Sequence, residues 1–200
     1  RAPEPITFDS EVLTEEKREL AANTVQPIYT SPDTGVARTQ LERLRNSLDY
    51  ISTVREDGYA DKTQKMEDLA ALSDIQLNSD TASTILGLTE TRWETVQQES
   101  IAVLERVMSS TIRSESLASA QIRVPNLVSL QLPESQADIV AELAGAFVVP
   151  NSQLSEELTQ VAREEAREEV VPVARTYAVG QTIALRGTVL DEADLEALEQ

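Results

Sequence analysis

The stretch TEEKRELAANTVQPI at residues 14–28 recurs near the other end of the chain as TQVAREEAREEVVPV at residues 159–173. Six positions match at a constant separation of 145 residues, the last pair being Ile28 and Val173. The other matched residues are Thr14, Arg18, Ala21, Val25 and Pro27 in the first copy and Thr159, Arg163, Ala166, Val170 and Pro172 in the second. Each copy predicts a helix with Ala and Val facing inward, followed by a proline that starts an extended segment.

The distance between the two copies predicts how the chain is organised. If the copies are one structural unit used twice, the two chain ends lie side by side. We therefore expect residues 1–35 and 148–200 to form one α/β lobe and residues 36–147 to form a helical lobe. The alternative is a chance match between two glutamate-rich amphipathic helices.

Apolar residues at helical spacing predict several helices. Thr91 followed by Glu94 has the pattern of a capping box, which predicts that the longest helix starts there and ends near Ile112. The predicted helices lie at about residues 14–25, 41–58, 62–72, 80–86, 91–112, 116–123, 133–147, 156–169 and 192–199.

The tail between Pro172 and Asp191 has a different pattern. Residues 173–179, 181–185 and 188–189 alternate like short strands around Gly180 and Gly187. The predicted fold is therefore α+β and predominantly helical: a helical lobe plus a small β-sheet built from this C-terminal hairpin and the extended N-terminal segment.

Composition excludes most enzyme classes. The chain has no cysteine and no histidine, which removes thiol nucleophiles, imidazole bases and the usual zinc sites. We predict no catalytic residue, no metal and no cofactor. A glycosidase-like carboxylate pair is the remaining enzymatic alternative, but no pair stands out. Glu164, Glu165, Glu168 and Glu169 alternate with arginines at spacings that predict surface ion pairs.

Net charge and hydropathy restrict the partners. A formal charge of −18 repels nucleic acid, so no nucleic-acid partner is predicted. The longest apolar run, residues 143–149, is far shorter than the roughly 20 residues that span a bilayer. The chain starts at Arg1 with an extended, proline-rich entry, and we expect it to be part of a longer polypeptide.

Several of these segments together resemble a known family, the extracellular domains of seven-transmembrane receptors that carry a cytosolic HD-type phosphohydrolase. Residues 36–130 match it only in helical character, and Ala174 departs from it, since a tyrosine there would mirror Tyr29. The resembling pieces are residues 5–8, the first copy through Tyr29, residues 150–173, residues 179–187 and the helix after Asp191.

The resemblance implies a location and partners. One membrane helix would precede Arg1, six would follow Gln200, and the cytosolic HD domain would hydrolyse cyclic di-AMP with metals held by His and Asp. The chain itself would be a non-catalytic sensor on the extracellular or periplasmic face of the membrane, with an unknown ligand or envelope protein as its partner. The alternative is a structural or adaptor module that binds an envelope protein.

Three residues are candidates for ligand binding. Tyr29 and Tyr177 each follow a proline of the repeat, and they would line a shared groove or occupy half-buried sheet positions. Arg123 would bind an anionic ligand in an otherwise negative field, or would pair with one of the 35 acidic residues.

Overall fold

A computed structural model of the chain describes residues 2–185, 187 and 189–200. The chain divides into a terminal unit, Arg1–Tyr29 with Leu154–Gln200, and a central unit, Thr30–Gln153. The terminal unit contains β1 (Ile6–Ser10), α1 (Glu11–Thr24), α8 (Glu156–Glu168), β2 (Val173–Tyr177) and α9 (Glu192–Glu199). The central unit contains α2 (Thr34–Glu56), α3 (Lys62–Ala70), α4 (Ser79–Gly87), α5 (Glu90–Met108), α6 (Leu117–Arg123) and α7 (Glu134–Ala146), with short 3₁₀ turns at Ser114–Ser116 and Val124–Leu127.

Side chains that accept hydrogen bonds from free backbone N–H groups start most of these helices. Ser10 caps α1 and Ser155 caps α8, while Asp191 caps α9. In the central unit the same role falls to Asp33, Asp61 and Asn78. The predominantly helical α+β fold predicted from the sequence is confirmed.

The core of the central unit lies between α2, α5 and α7. Leu44 and Ile51 of α2, Trp93 and Leu104 of α5, and Leu143 of α7 are all 0% exposed. The Trp93 indole N–H donates to the Ser52 hydroxyl at 2.8 Å, so the only tryptophan is buried without losing its hydrogen bond. These helices therefore form one continuous apolar core.

The terminal unit is built around a two-stranded antiparallel sheet. β1 pairs with β2 in a register that sets Ile6 opposite Tyr177 and Ser10 opposite Val173. Its small apolar cluster joins Ala2, Tyr177 and Ala197, with Phe8 and Ile183 packed against it. Residues close to both chain ends therefore share one core.

The described residues of the tail do not form the predicted hairpin. β2 pairs with β1, and residues 181–185 are loop and bend. Gly180, at φ +79°, makes the turn, but the chain after it bonds to Ala2: the Gly180 N–H donates to the Ala2 carbonyl at 2.9 Å, and the Ala2 N–H donates to the Gln181 carbonyl at 3.0 Å. Arg186, which belongs to the resembling motif, and Thr188, which belongs to the predicted hairpin, lie outside the described residues.

Two predictions about the long helices were wrong. Helix α5 begins at Glu90, after Thr89, because the first helical hydrogen bond runs from the Trp93 N–H to the Thr89 carbonyl; Thr91 and Glu94 therefore form no capping box. At 23 residues, α2 is longer than the 19-residue α5. Asp33 caps α2 well upstream of its apolar stripe, and this extends the helix.

In the part of the chain that the structure describes, each helix is too short or too polar to cross a bilayer.

Candidate functional site

The two copies of the repeated stretch lie together in the terminal unit and exchange hydrogen bonds. The Thr14 hydroxyl accepts from the Val173 N–H at 3.0 Å, and the Thr159 hydroxyl accepts from the Ile28 N–H at 2.9 Å. Both threonines are 5% exposed. Each copy thus receives the backbone that follows the proline of the other copy, which ties the N-terminal part of the chain to the C-terminal part.

The two copies also correspond in how their helices start and in how the neighbouring extended segments pair. Ser10 accepts from the Leu13 N–H and Ser155 from the Leu158 N–H, both at 3.2 Å and both three residues into the helix. Tyr29 forms an antiparallel bridge with Leu154, at the position that corresponds to the pairing of Ala174 with Asp9. The geometry is therefore approximately two-fold around α1 and α8.

Glu196 of α9 breaks this symmetry. The Ser10 hydroxyl donates to one of its carboxylate oxygens, and the N–H groups of Glu11 and Val12 donate to the other, at 2.5 and 3.4 Å. The Ser10 hydrogen bond, helped by these N–H groups and the charge of Arg175 and opposed by desolvation, holds the pKa of Glu196 below its ordinary value. A negative charge at the start of a helix is favourable, so Glu196 anchors α9 to α1.

Both candidate tyrosines lie in the terminal unit. Tyr177 is 5% exposed, the Arg175 guanidinium carbon lies 5.2 Å from the centre of its ring, and its hydroxyl has no hydrogen-bond partner among the described residues. Tyr29 is half-buried at its bridge with Leu154. Tyr177 belongs to the small core, and a groove shared with Tyr29 stays a prediction.

Arg123 lies in the central unit, on a cleft of about 360 Å³ between the end of α5, α6 and the turn after it. We call this the Arg106–Arg123 cleft; its lining residues are Arg106, Val107, Ser110, Thr111, Ala120, Arg123 and Leu127. None of them is acidic, and within the described residues neither arginine has a carboxylate partner. Residues 106–133 contain three arginines and one glutamate, a net charge of +2 in a chain of net charge −18.

Both arginines of this cleft are held by the backbone. The Arg106 Nη1 donates to the Leu127 carbonyl at 2.5 Å, and the Arg123 Nε donates to the Ser119 carbonyl at 3.2 Å. A guanidinium has five N–H donors. Four donors on each side chain therefore find no protein acceptor among the described residues.

A second cationic cleft, of about 350 Å³, is lined by Arg55, Lys62, Lys65 and Ser83 of the central unit. Two of its cations, Arg55 and Lys65, have structural roles. The Arg55 side chain, 7% exposed, donates to the Ile85 and Leu88 carbonyls and pairs with Glu90, and the Lys65 ammonium donates to the Arg55 carbonyl at 2.7 Å. This cleft is thus mainly a clamp between α2, α3 and the end of α4.

Clefts of the terminal unit contain carboxylates. One of about 500 Å³ includes Asp9, Glu11 and Glu15, and another includes Glu164 and Glu168 beside Arg167. The Arg167–Glu164 pair, at 2.9 Å, is exposed, as its helical spacing predicts. Within the described residues, no group of three or more Asp or Glu side chains is placed to hold a metal ion.

Sequence reasoning singled out Arg123 but missed Arg106 and Glu196. Arg106 is one of several charged residues on α5, and only the packing of α6 against this region brings it to Arg123. Glu196 belongs to an acidic helix with no visible pattern. The local charge of residues 106–133 is the signal that was available for Arg106.

Comparison with known proteins gives one family over the whole chain. The model of the 7TM-HD extracellular family matches residues 1–200. The chain is 24% identical to the cyclic-di-AMP phosphodiesterase PgpH of Bacillus subtilis (strain 168) over 205 residues, which cover 98% of the chain and 28% of that protein.

A second relative covers about half of the chain. It is the cyclic-di-AMP phosphodiesterase PgpH of Listeria monocytogenes serotype 1/2a (strain 10403S), which is 32% identical over 97 residues, 48% of the chain and 13% of that protein. The chain thus spans less than a third of either relative. No solved structure matches it.

Proposed function

The chain belongs to the family of 7TM-HD extracellular domains of integral membrane proteins, and from this premise we propose that it is the ligand-sensing input domain of a membrane-bound HD-type phosphohydrolase. The full-length protein would hydrolyse cyclic di-AMP, as the names of the two relatives suggest. Transmembrane helices and a cytosolic HD domain would be the partners of the domain within that protein. The domain itself would carry no catalysis.

One observation carries this proposal: residues near the two chain ends are held together. Ala2 and Ala197 are each 2% exposed and lie in one cluster with Tyr177. The β1–β2 pairing, the two threonine hydrogen bonds and Glu196 reinforce the same junction. The terminal unit would therefore be next to the membrane and would fix the spacing of the membrane segments attached to it.

A sensor needs two states that its ligand binds with different affinity. We propose that ligand binding changes the placement of the two ends, and that the attached membrane segments pass this change to the hydrolase. A ligand that bound both placements equally would have no effect on the hydrolase.

A thermal-shift screen of the 200-residue chain against metabolites, cell-wall fragments, nucleotides and divalent ions tests the sensing step. A ligand at 100 times its Kd adds about 2.7 kcal/mol to the free energy of unfolding. A specific hit supports the sensor, and a blank panel contradicts small-molecule sensing.

A reversible cross-link tests the transmission step. Thr7 and Thr176 face each other across the sheet, with hydroxyl oxygens 3.1 Å apart, and directly opposed residues of antiparallel strands suit a disulfide. The pair T7C/T176C is introduced into a full-length protein without other cysteines. Oxidation should make cyclic di-AMP hydrolysis independent of the screened ligand, and reduction should restore the response.

Single-cysteine variants under the same oxidation control for damage to the hydrolase. If the oxidised pair responds to ligand as the reduced pair does, transmission through the spacing of the ends is wrong.

The adaptor alternative has its own support. The terminal unit exposes Leu154, Leu158 and Val161, which are 49%, 48% and 50% exposed. Exposed apolar groups of this kind occur at protein-binding surfaces. A blank small-molecule screen combined with loss of a bound envelope protein in L158S/V161S would favour the adaptor.

A further inference from the structure

We propose that the Arg106–Arg123 cleft binds an oxyanion, either a carboxylate or a phosphate group, on a small ligand or on one unit of a larger one. This inference rests on the proposed sensing function and names the chemistry that the sensor would recognise. No carboxylate of the described residues lines this cleft.

The charge distribution supports an anionic ligand over a cationic or neutral one. The chain carries 35 acidic residues against 17 basic ones, yet this cleft is lined by two arginines and no acidic residue. The acids nearest in sequence are already engaged: Glu105 lies 3.8 Å from Arg45, Glu115 lies 4.0 Å from Arg113, and Glu99 accepts from the Ser129 N–H. The arginines of the cleft are therefore left without a carboxylate partner among the described residues.

The hydrogen-bond geometry supports an oxyanion in particular. A guanidinium offers parallel N–H donors that match the two oxygens of a carboxylate or phosphate. One donor of each arginine is fixed on a backbone carbonyl, at Leu127 for Arg106 and at Ser119 for Arg123. This restrains the side chains before a ligand arrives, which lowers the entropy cost of binding.

The rest of the lining sets the size and polarity of the ligand. The volume of about 360 Å³ is near the lower end of ligand-binding cavities, so the cleft suits one small acid or the charged group of a polymer. Thr111 is exposed at the cleft and its hydroxyl is without a hydrogen-bond partner in the described structure, so it adds a donor. Val107 and Leu127 provide an apolar floor.

The other cationic cleft does not fulfil these conditions. There the guanidinium of Arg55 is committed to two carbonyls and Glu90. Neutralising it would destabilise the central unit rather than free a binding site.

The test is an NMR titration of the 200-residue chain with inorganic phosphate in one arm and malonate in the other, at constant ionic strength adjusted with NaCl. We expect saturable shifts of the Arg106, Arg123 and Thr111 signals in at least one arm. R106Q/R123Q should raise the Kd about tenfold or more, because charge-assisted hydrogen bonds to the anion are lost. Tighter binding of phosphate would point to a phosphate ester, and tighter binding of malonate to a carboxylic acid.

The matched control is R38Q/R92Q, which removes the same charge from exposed arginines of α2 and α5. The Kd of this control should be within about twofold of that of the unmodified chain. Backbone spectra of both variants should show an intact fold. The proposal is overturned if neither anion saturates, if R106Q/R123Q binds as well as the unmodified chain, or if the control weakens binding equally.

The same titration separates this inference from the proposed function. If the anions bind as expected but R106Q/R123Q in the full-length protein leaves the regulation of cyclic di-AMP hydrolysis unchanged, the sensing role of this site fails while its chemistry stands. If binding fails but another ligand regulates the hydrolase, the sensor stands and the cleft is wrong.

Discussion

Among the described residues, the central unit has a continuous cluster of 24 buried apolar residues, whereas the corresponding cluster of the terminal unit has three buried members, Ala2, Tyr177 and Ala197. The terminal unit compensates with polar contacts: two reciprocal threonine hydrogen bonds, serine caps and the Glu196 carboxylate on α1. Burial of a large apolar side chain adds more free energy than a single hydrogen bond does. This difference fits the sensor proposed above, in which the central unit would bind the ligand and the terminal unit would change its arrangement.

The largest expected effect is the loss of a core side chain from the central unit. Leu104→Ala should lower the free energy of unfolding by about 2–5 kcal/mol, since Leu104 is 0% exposed and its removal leaves a cavity. Denaturant unfolding followed by Trp93 fluorescence reports this unit alone, because Trp93 is the only tryptophan.

Leu130→Ala is the control. Because Leu130 is 102% exposed, this substitution should change the free energy of unfolding little. Equal losses in both variants would contradict the apolar account of the central unit.

A smaller effect is expected at the Arg55 clamp, which tests whether the central unit also depends on polar contacts. Arg55→Leu should lower the free energy of unfolding by about 2–3 kcal/mol, because it leaves the Ile85 and Leu88 carbonyls without their donor. Arg55→Lys keeps the charge but not the fork of donors, so most of the loss should remain. If Arg55→Lys had the same free energy of unfolding as the unmodified chain, the positive charge alone would account for the stabilising effect of Arg55.

The reciprocal hydrogen bonds of the terminal unit should each contribute about 1 kcal/mol. Hydrogen exchange resolves them: Thr14→Val should lower protection at the Val173 amide and Thr159→Val at the Ile28 amide. The double variant T14V/T159V should lower protection at both amides and leave amide protection in the central unit unchanged. If each single variant lowered protection equally at both amides, the reciprocal hydrogen bonding between the two copies would be contradicted.

The smallest expected effect concerns pH. The pKa of Glu196 is lower in the folded chain than its ordinary value of 4.5, so its stabilising effect is present above about pH 4.5 and is lost as the pH falls through the folded pKa. Amide protection in β1 and α1 should therefore decrease on acidification, and Glu196→Gln should reduce that decrease. Glu199→Gln, an exposed change on the same helix, is the control; a pH response unchanged by Glu196→Gln would overturn the anchoring role.

Local patterns predicted most helices because capping residues and apolar spacing act within one or two turns. Asp191 and Pro133 mark the starts of α9 and α7 where the sequence suggested. The capping box predicted at Thr91 is not formed, because the helix already begins at Glu90, directly after Thr89. Candidate binding residues were harder to predict than helices, since Arg123 stood out through its local charge and Arg106 did not.

The sequence by itself determined the helical class, the absence of thiol and imidazole chemistry, the acidic surface and the family resemblance, because each depends on composition or on short-range spacing. Only the tertiary structure decided that β2 pairs with β1, that Glu196 reaches Ser10, and that Arg106 and Arg123 line one cleft. Such contacts join residues far apart in the chain, and their partners are selected by the packing of whole helices. No local pattern records that selection.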